Sequence, residues 1–190
     1  ISCQDGAGSN GTETYTFTST SGVTYYVYIG YYGSGTTTGT FTISRTCTAP
    51  PTPPANDLCA NATALPCGTT NLAGTTVNTT NVANVSGCSM SNYGVWYTFV
   101  GDGNITTIST NPAFDIKLAV STGTCGSLTN IACTDASPET ATFTATLGVT
   151  YYVYIAHYSS SSSTTGTFTI SRTCTAPITN DNCGSPVSVS

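Results

Sequence analysis

Two stretches of this chain occur twice. The octapeptide GVTYYVYI at residues 22–29 returns unchanged at 148–155, and TGTFTISRTCTAP at 38–50 returns at 165–177. Shorter matches flank them. Ile1-Ser2-Cys3-Gln4-Asp5 parallels Ile131-Ala132-Cys133-Thr134-Asp135, and Asn56-Asp57-Leu58-Cys59 parallels Asn180-Asp181-Asn182-Cys183. The offsets run from 124 to 130 residues, a repeat with loops of variable length. On this reading residues 1–49 are the C-terminal half of one repeat and 50–55 are a Pro-rich, extended linker. Residues 56–174 are then a complete repeat, and 175–190 hold a linker and the first strand of the next. A half-repeat of 49 residues cannot bury a useful core alone and would leave strand edges unpaired. We expect a longer polypeptide to complete it; completion by another chain, through strand donation, is the alternative.

The repeat is written in a β alphabet. Thr and Ser together make up 63 of 190 residues, and 12 are Tyr, while Glu, Lys, Gln and Arg are scarce. Apolar and hydroxyl residues alternate at 95–100, 105–110, 114–120, 142–147, 151–155 and 167–171, separated by polar or Gly-rich turns. This predicts an all-β fold, a disulfide-stapled antiparallel β-sandwich of jelly-roll/Ig-like type in tandem repeats. Phe168 and Ile170 are expected to face the core. Tyr151, Val153 and Ile155 share one face of their strand, and Tyr152 and Tyr154 the other, as a second buried layer or an exposed aromatic strip.

Only 6% of residues are charged, against roughly 25% in an average soluble domain. Arg45, Lys117 and Arg172 are the three cations, too few for a nucleic-acid-binding face or for attachment to anionic lipid. No apolar run nears the roughly 20 residues that span a bilayer, so no membrane insertion is expected. Nine cysteines without a CxxC, beside a single His, point to disulfides in an oxidising, extracellular or cell-surface setting, not to zinc. Cys125 with Cys133 is the first pair expected, closing a hairpin-like segment, and Cys67 with Cys88 the second. Cys59 with Cys174 joins the ends of one repeat, or Cys47–Cys59 and Cys174–Cys183 staple successive repeats. Cys3, matching Cys133, is left with a partner upstream of the chain.

Chemistry-bearing residues are sparse. His157 lies in a Ser-rich loop where the first half has Tyr31, so a surface role is expected. No cofactor or metal is expected; calcium held by Asp57, Asp102, Asp115, Asp135 and Glu139 is the alternative, and Asx-turn capping is the expected role of Asp57, Asp102 and Asp181. Lys117 is expected to snorkel or to pair with Asp115, with an isopeptide cross-link to an Asn or Asp as the alternative. Asn10, Asn61, Asn78, Asn84 and Asn104 head N-glycosylation sequons. The Ser/Thr-dense stretches 36–40, 69–80 and 159–165 suit O-linked glycan. Tyr26, Tyr28, Tyr152 and Tyr154 are expected to pack across strands inside the domain, and are interface candidates between subunits or stacking platforms for sugars as alternatives.

Six motifs follow in order: Asn56-Asp57-x-Cys59, Leu65-Pro66-Cys67-Gly68, Val95-Trp96-Tyr97-x-Phe99, Phe114-Asp115-x-Lys117-Leu118, Cys125-Gly126-Ser127-Leu128 and Gly148-Val149-Thr150-Tyr151-Tyr152. In this order the chain resembles the Cys-containing β-sandwich tandem repeats of bacterial secreted and cell-surface, adhesin- or fibre-like proteins. The resemblance covers 56–174 fully and 1–49 in part. It implies a non-enzymatic structural repeat that builds a surface fibre, stalk or adhesin, glycosylated, assembled by tandem repetition or strand complementation. Its partners would be copies of itself or neighbouring repeats, and glycans. A carbohydrate-binding or accessory module of a secreted hydrolase is the other role it implies. The acidic cluster often seen in such repeats is thin here, Asp135 standing alone before Ala136, which argues against calcium.

Overall fold

Among the described residues nine strands form, most of them where apolar and hydroxyl residues alternate. They are β1 (Thr63–Ala64), β2 (Thr69–Thr75), β3 (Gly94–Val100), β4 (Ile105–Pro112), β5 (Ile116–Thr124), β6 (Ser127–Thr134), β7 (Thr140–Thr144), β8 (Thr150–His157) and β9 (Thr167–Thr175). The computed structural model describes residues 2–8, 11–80 and 85–177. The sequons at Asn10 and Asn84, and Asp181 and Cys183, lie outside the described residues. The chain divides into two units, Ile1–Thr48 and Ala49–Ser190.

In the second unit one sheet has the order β1-β3-β8-β5-β6 and the other β2-β9-β4-β7. All pairings are antiparallel except β1 with β3. The sheets share one core. Val95, Tyr97 and Phe99, Ile116, Leu118 and Val120, and Tyr151, Val153 and Ile155 come from the first sheet; Ile108, Ala141, Phe168 and Ile170 come from the second. Burying each such aliphatic side chain is worth about 1.5–3 kcal/mol. Thr167 stays exposed and Thr169 and Ser171 half-buried, as the period of two requires.

The other face of the five-stranded sheet is covered as well. Trp96, Ala119, Tyr154 and Ala156 pack under Val85, Cys88 and Met90 from the connection between β2 and β3. The central strands are therefore buried on both sides, which accounts for the unbroken apolar run Val95-Trp96-Tyr97. Gly94 permits this closeness: a Cβ there would meet the Ile155 carbonyl oxygen, the Tyr154 ring and the Ala156 methyl.

Three disulfides staple the sandwich: Cys59–Cys125, Cys67–Cys174 and Cys88–Cys133. These pairs correct the expected ones. Cys133 stands opposite Ala119 in the β5–β6 ladder, whereas Cys125 lies at the hairpin turn beyond Thr124. Six residues of strand separate them, about 20 Å, beyond the roughly 7 Å that a disulfide spans. Cys67 precedes β2 in one sheet, and Cys88 lies over the outer face of the other. Cys59 and Cys174, expected to pair with each other or with Cys47 and Cys183, are bonded within the repeat to Cys125 and Cys67. Three such bonds belong to an oxidising compartment.

Candidate functional site

The first unit contrasts with the second although its residues 22–29 and 38–48 repeat 148–155 and 165–175. Among its described residues no strand forms, and every side chain is exposed except Ala7, which is half-buried. Tyr26, Val27 and Tyr28 are 93%, 73% and 94% exposed. Their counterparts Val153 and Tyr154 are fully buried, and Tyr152 is half-buried. Phe41 and Ile43 are each 65% exposed, where Phe168 and Ile170 are core residues. Cys3 and Cys47 are free and exposed.

What buries the second copy is plain from the ladders. β8 lies between β3 and β5, and β9 between β2 and β4. All four flanking strands precede residue 125. Residues 22–29 and 38–48 thus carry β8- and β9-type sequence with no ladder within their own unit. Sequence of this kind is laddered only when flanking strands are supplied.

The other candidate residues fall into structural roles. The Asn56 side-chain amide donates to the Trp96 carbonyl at 2.9 Å, and the Trp96 N–H donates to the Asn56 carbonyl at 2.9 Å. The Asp57 carboxylate accepts the Thr80 N–H at 2.9 Å and the Thr80 hydroxyl, so it clamps a distant loop and does not cap its own turn. Asp102 does make the expected Asx turn: its Oδ1 accepts the Asn104 N–H at 3.0 Å. That bond holds the Asp102 carboxyl below the usual carboxylate range, with Arg172 as a lesser cause.

Lys117 pairs with Asp135 at 3.3 Å rather than with Asp115, and donates to the Ser89 carbonyl at 3.1 Å. The alternation puts Lys117 on the outer face of the sheet, under the loop that carries Ser89. Glu139 is buried, accepts the Thr110 hydroxyl at 2.8 Å, and has its pKa raised by burial, with Asp115 and Asp135 adding to the rise. Four of the five acids named for calcium, Asp57, Asp102, Asp135 and Glu139, have separate side-chain partners. Among the described residues one His/Cys/Asp/Glu trio has ligand atoms close together, Cys67, Asp102 and Cys174. Its two sulfurs are bonded to each other, which removes them as thiolate ligands.

His157 stacks between Phe114 and Tyr158, and its Nδ1 accepts the Ser159 N–H at 3.1 Å. Tyr154 packs on Trp96 with ring centroids 4.5 Å apart and donates its hydroxyl to the Ser91 carbonyl at 3.1 Å. Burial pushes its pKa up, as it pushes that of Tyr97 to about 12. As an interface candidate Tyr154 is corrected, since the domain itself covers it; Tyr152 is half-buried against the same layer. Asn61 and Asn78 are exposed, and Asn104 is half-buried in the β3–β4 turn.

No family model, curated protein or solved structure matches this chain.

One functional group escaped the sequence reading. The Arg172 guanidinium is buried, donates to the Leu65 carbonyl at 3.1 Å and to the Thr106 hydroxyl at 3.4 Å, and sits 3.8 Å from the Phe99 ring centroid. Asp102 approaches it to 3.8 Å. The signal was present: Arg172 continues the inward row of Phe168 and Ile170 at a period of two. Its counterpart Arg45 is exposed and lies 3.0 Å from the Cys47 sulfur.

Proposed function

We propose that this chain is a non-enzymatic, extracellular structural repeat. It would build a surface fibre, stalk or adhesin from jelly-roll or Ig-like sandwiches, by tandem repetition or strand complementation. One observation carries this reading. The same β8- and β9-type sequence is laddered on both sides at 148–175 and bare at 22–48. An open half-repeat joined in sequence to a closed one is what a polymer needs to pass from unit to unit. Three disulfides suit an extracellular setting, and a sparsely charged, hydroxyl-rich surface resists changes of salt and can carry glycan.

Electron microscopy of native material tests it. Continuous fibres with an axial repeat of one sandwich or a small multiple are expected; dispersed single particles overturn the fibre. Enzymatic or chemical deglycosylation is expected to lower the intact mass of the native material. The alternative, a carbohydrate-binding or accessory module, draws support from the exposed Tyr26, Tyr28, Tyr31 and Tyr32, since bare aromatic faces stack on sugars. Binding on a glycan array by dispersed particles would favour it.

A further inference from the structure

Front and back halves of the repeat are held together by a specific pattern of cysteines. Cys59–Cys125 lies wholly in the front half, residues 56–126. Cys88–Cys133 and Cys67–Cys174 each cross from the front half to the back half, residues 127–175, with Cα atoms 5.6 and 5.8 Å apart. The back half therefore has two cysteines, and both bond to the front. Residues 1–48 also have two, Cys3 and Cys47, at the positions of Cys133 and Cys174. Both are free.

The resemblance between 1–48 and 127–175 extends beyond the cysteines. Glu13, Phe17 and Tyr25 precede the repeated octapeptide or open it as Glu139, Phe143 and Tyr151 do. Phe17 and Tyr25 rings lie 5.0 Å apart, and Phe143 and Tyr151 rings 5.3 Å. The Glu139 carboxylate meets Thr110 of β4, a front-half strand; the Glu13 carboxylate instead accepts the Gly6 and Ala7 N–H groups at 3.0 and 2.8 Å. In every comparison the local contact is made and the front-half contact is missing.

We propose that residues 1–48 are the acceptor half of a split sandwich, and that its occupant is a front-half repeat segment other than residues 56–126. That segment brings strands of the β2, β3, β4 and β5 kind and two unpaired thiols, which bond to Cys3 and Cys47. A second copy of residues 1–190 does not supply it. Those residues hold two back halves and one front half, and that front half is already bonded to residues 133 and 174. Each new disulfide forms as two thiols lose two protons and two electrons. The electron acceptor is the disulfide of a dithiol–disulfide oxidoreductase, which is reduced to its dithiol. The inference rests on the structural-repeat reading above and assigns its junction chemistry.

The test is disulfide mapping of native material, alkylated before proteolysis and kept unreduced. Cys47 is expected in a bond to a Cys67-type peptide, one carrying a Leu-Pro-Cys-Gly-like run, and Cys3 in a bond to a Cys88-type peptide. Alkylated Cys3 and Cys47, or a Cys3–Cys47 bond, would overturn the proposal. Microscopy separates the two ideas. Fibres with a Cys3–Cys47 bond sink the junction and spare the fibre, whereas mapped cross-half bonds in dispersed particles do the reverse.

Discussion

The Tyr151 hydroxyl accepts the Thr146 N–H at 2.9 Å, closing the turn that leads into β8. The repeated residues do the same: Tyr25 accepts the Thr20 N–H at 2.9 Å. Both turns also carry a backbone bond at 3.2 Å, Val149 to Thr146 and Val23 to Thr20. Gly148 and Gly22 sit at φ values of 78° and 77°, in the left-handed region open to glycine. A single turn thus forms twice, once inside a sandwich and once without one.

Tyr151→Phe is therefore expected to destabilise the sandwich by about 1 kcal/mol, the net worth of one hydrogen bond. Tyr25→Phe is expected to leave that transition unmoved. Urea unfolding followed by the fluorescence of buried Trp96 reads both. An equal loss in the two variants would contradict the assignment.

Gly94→Ala is expected to cost about 1–3 kcal/mol, the usual range for overpacking. The added methyl would strike the Ile155 carbonyl, which is backbone and cannot swing aside. A midpoint equal to that of the parent chain would show that β3 and β8 are looser than described.

The Cys67–Cys174 bond closes a loop with a sequence separation of 107. Replacing both by Ser is expected to lower stability by about 3–4 kcal/mol, through the added freedom of the unfolded chain. Cys3→Ser with Cys47→Ser in the isolated 190-residue chain is expected to change nothing in the same denaturation curve, because both thiols are free there. A loss from the second pair would mean that they are bonded.

Glu139 sets a pH dependence of defined sign. Burial raises its pKa in the fold above the ordinary 4.5. Between those two values the folded state holds the proton more tightly, so stability falls as pH rises through that window. Glu139→Gln keeps an acceptor for the Thr110 hydroxyl and carries no charge. At pH 7 it is expected to be more stable than the parent, and the gap should close as pH falls below the ordinary glutamate value. A gap constant from pH 3 to 7 would count against a burial cost for the charge.

Strands β4 and β9 were legible because each alternates along its length, and β3 and β8 because short apolar and aromatic runs lie between turns; the inward row of Phe168 and Ile170 follows from the alternation of β9. β2 was not legible. Thr69–Thr75 has no alternation of its own and is a strand because Leu72 to Thr75 pair with Ile170 to Thr167. The disulfides were misread from short spacings, which ignore the ladder register that carries Cys133 away from Cys125. Asp57 was read as a local cap because its 23-residue reach to Thr80 has no trace in the sequence.

The repeated octapeptide separates what each level decides. The sequence by itself determined the turn and the alternation, since these depend on neighbours a few residues apart. Only the tertiary structure decided that Tyr154 is buried while Tyr28 is bare, or that Cys174 is bonded while Cys47 is free. A ladder needs a second strand, and a core needs a second sheet. Both come from the front half of the repeat, whose ordering entropy is repaid only when the whole sandwich closes.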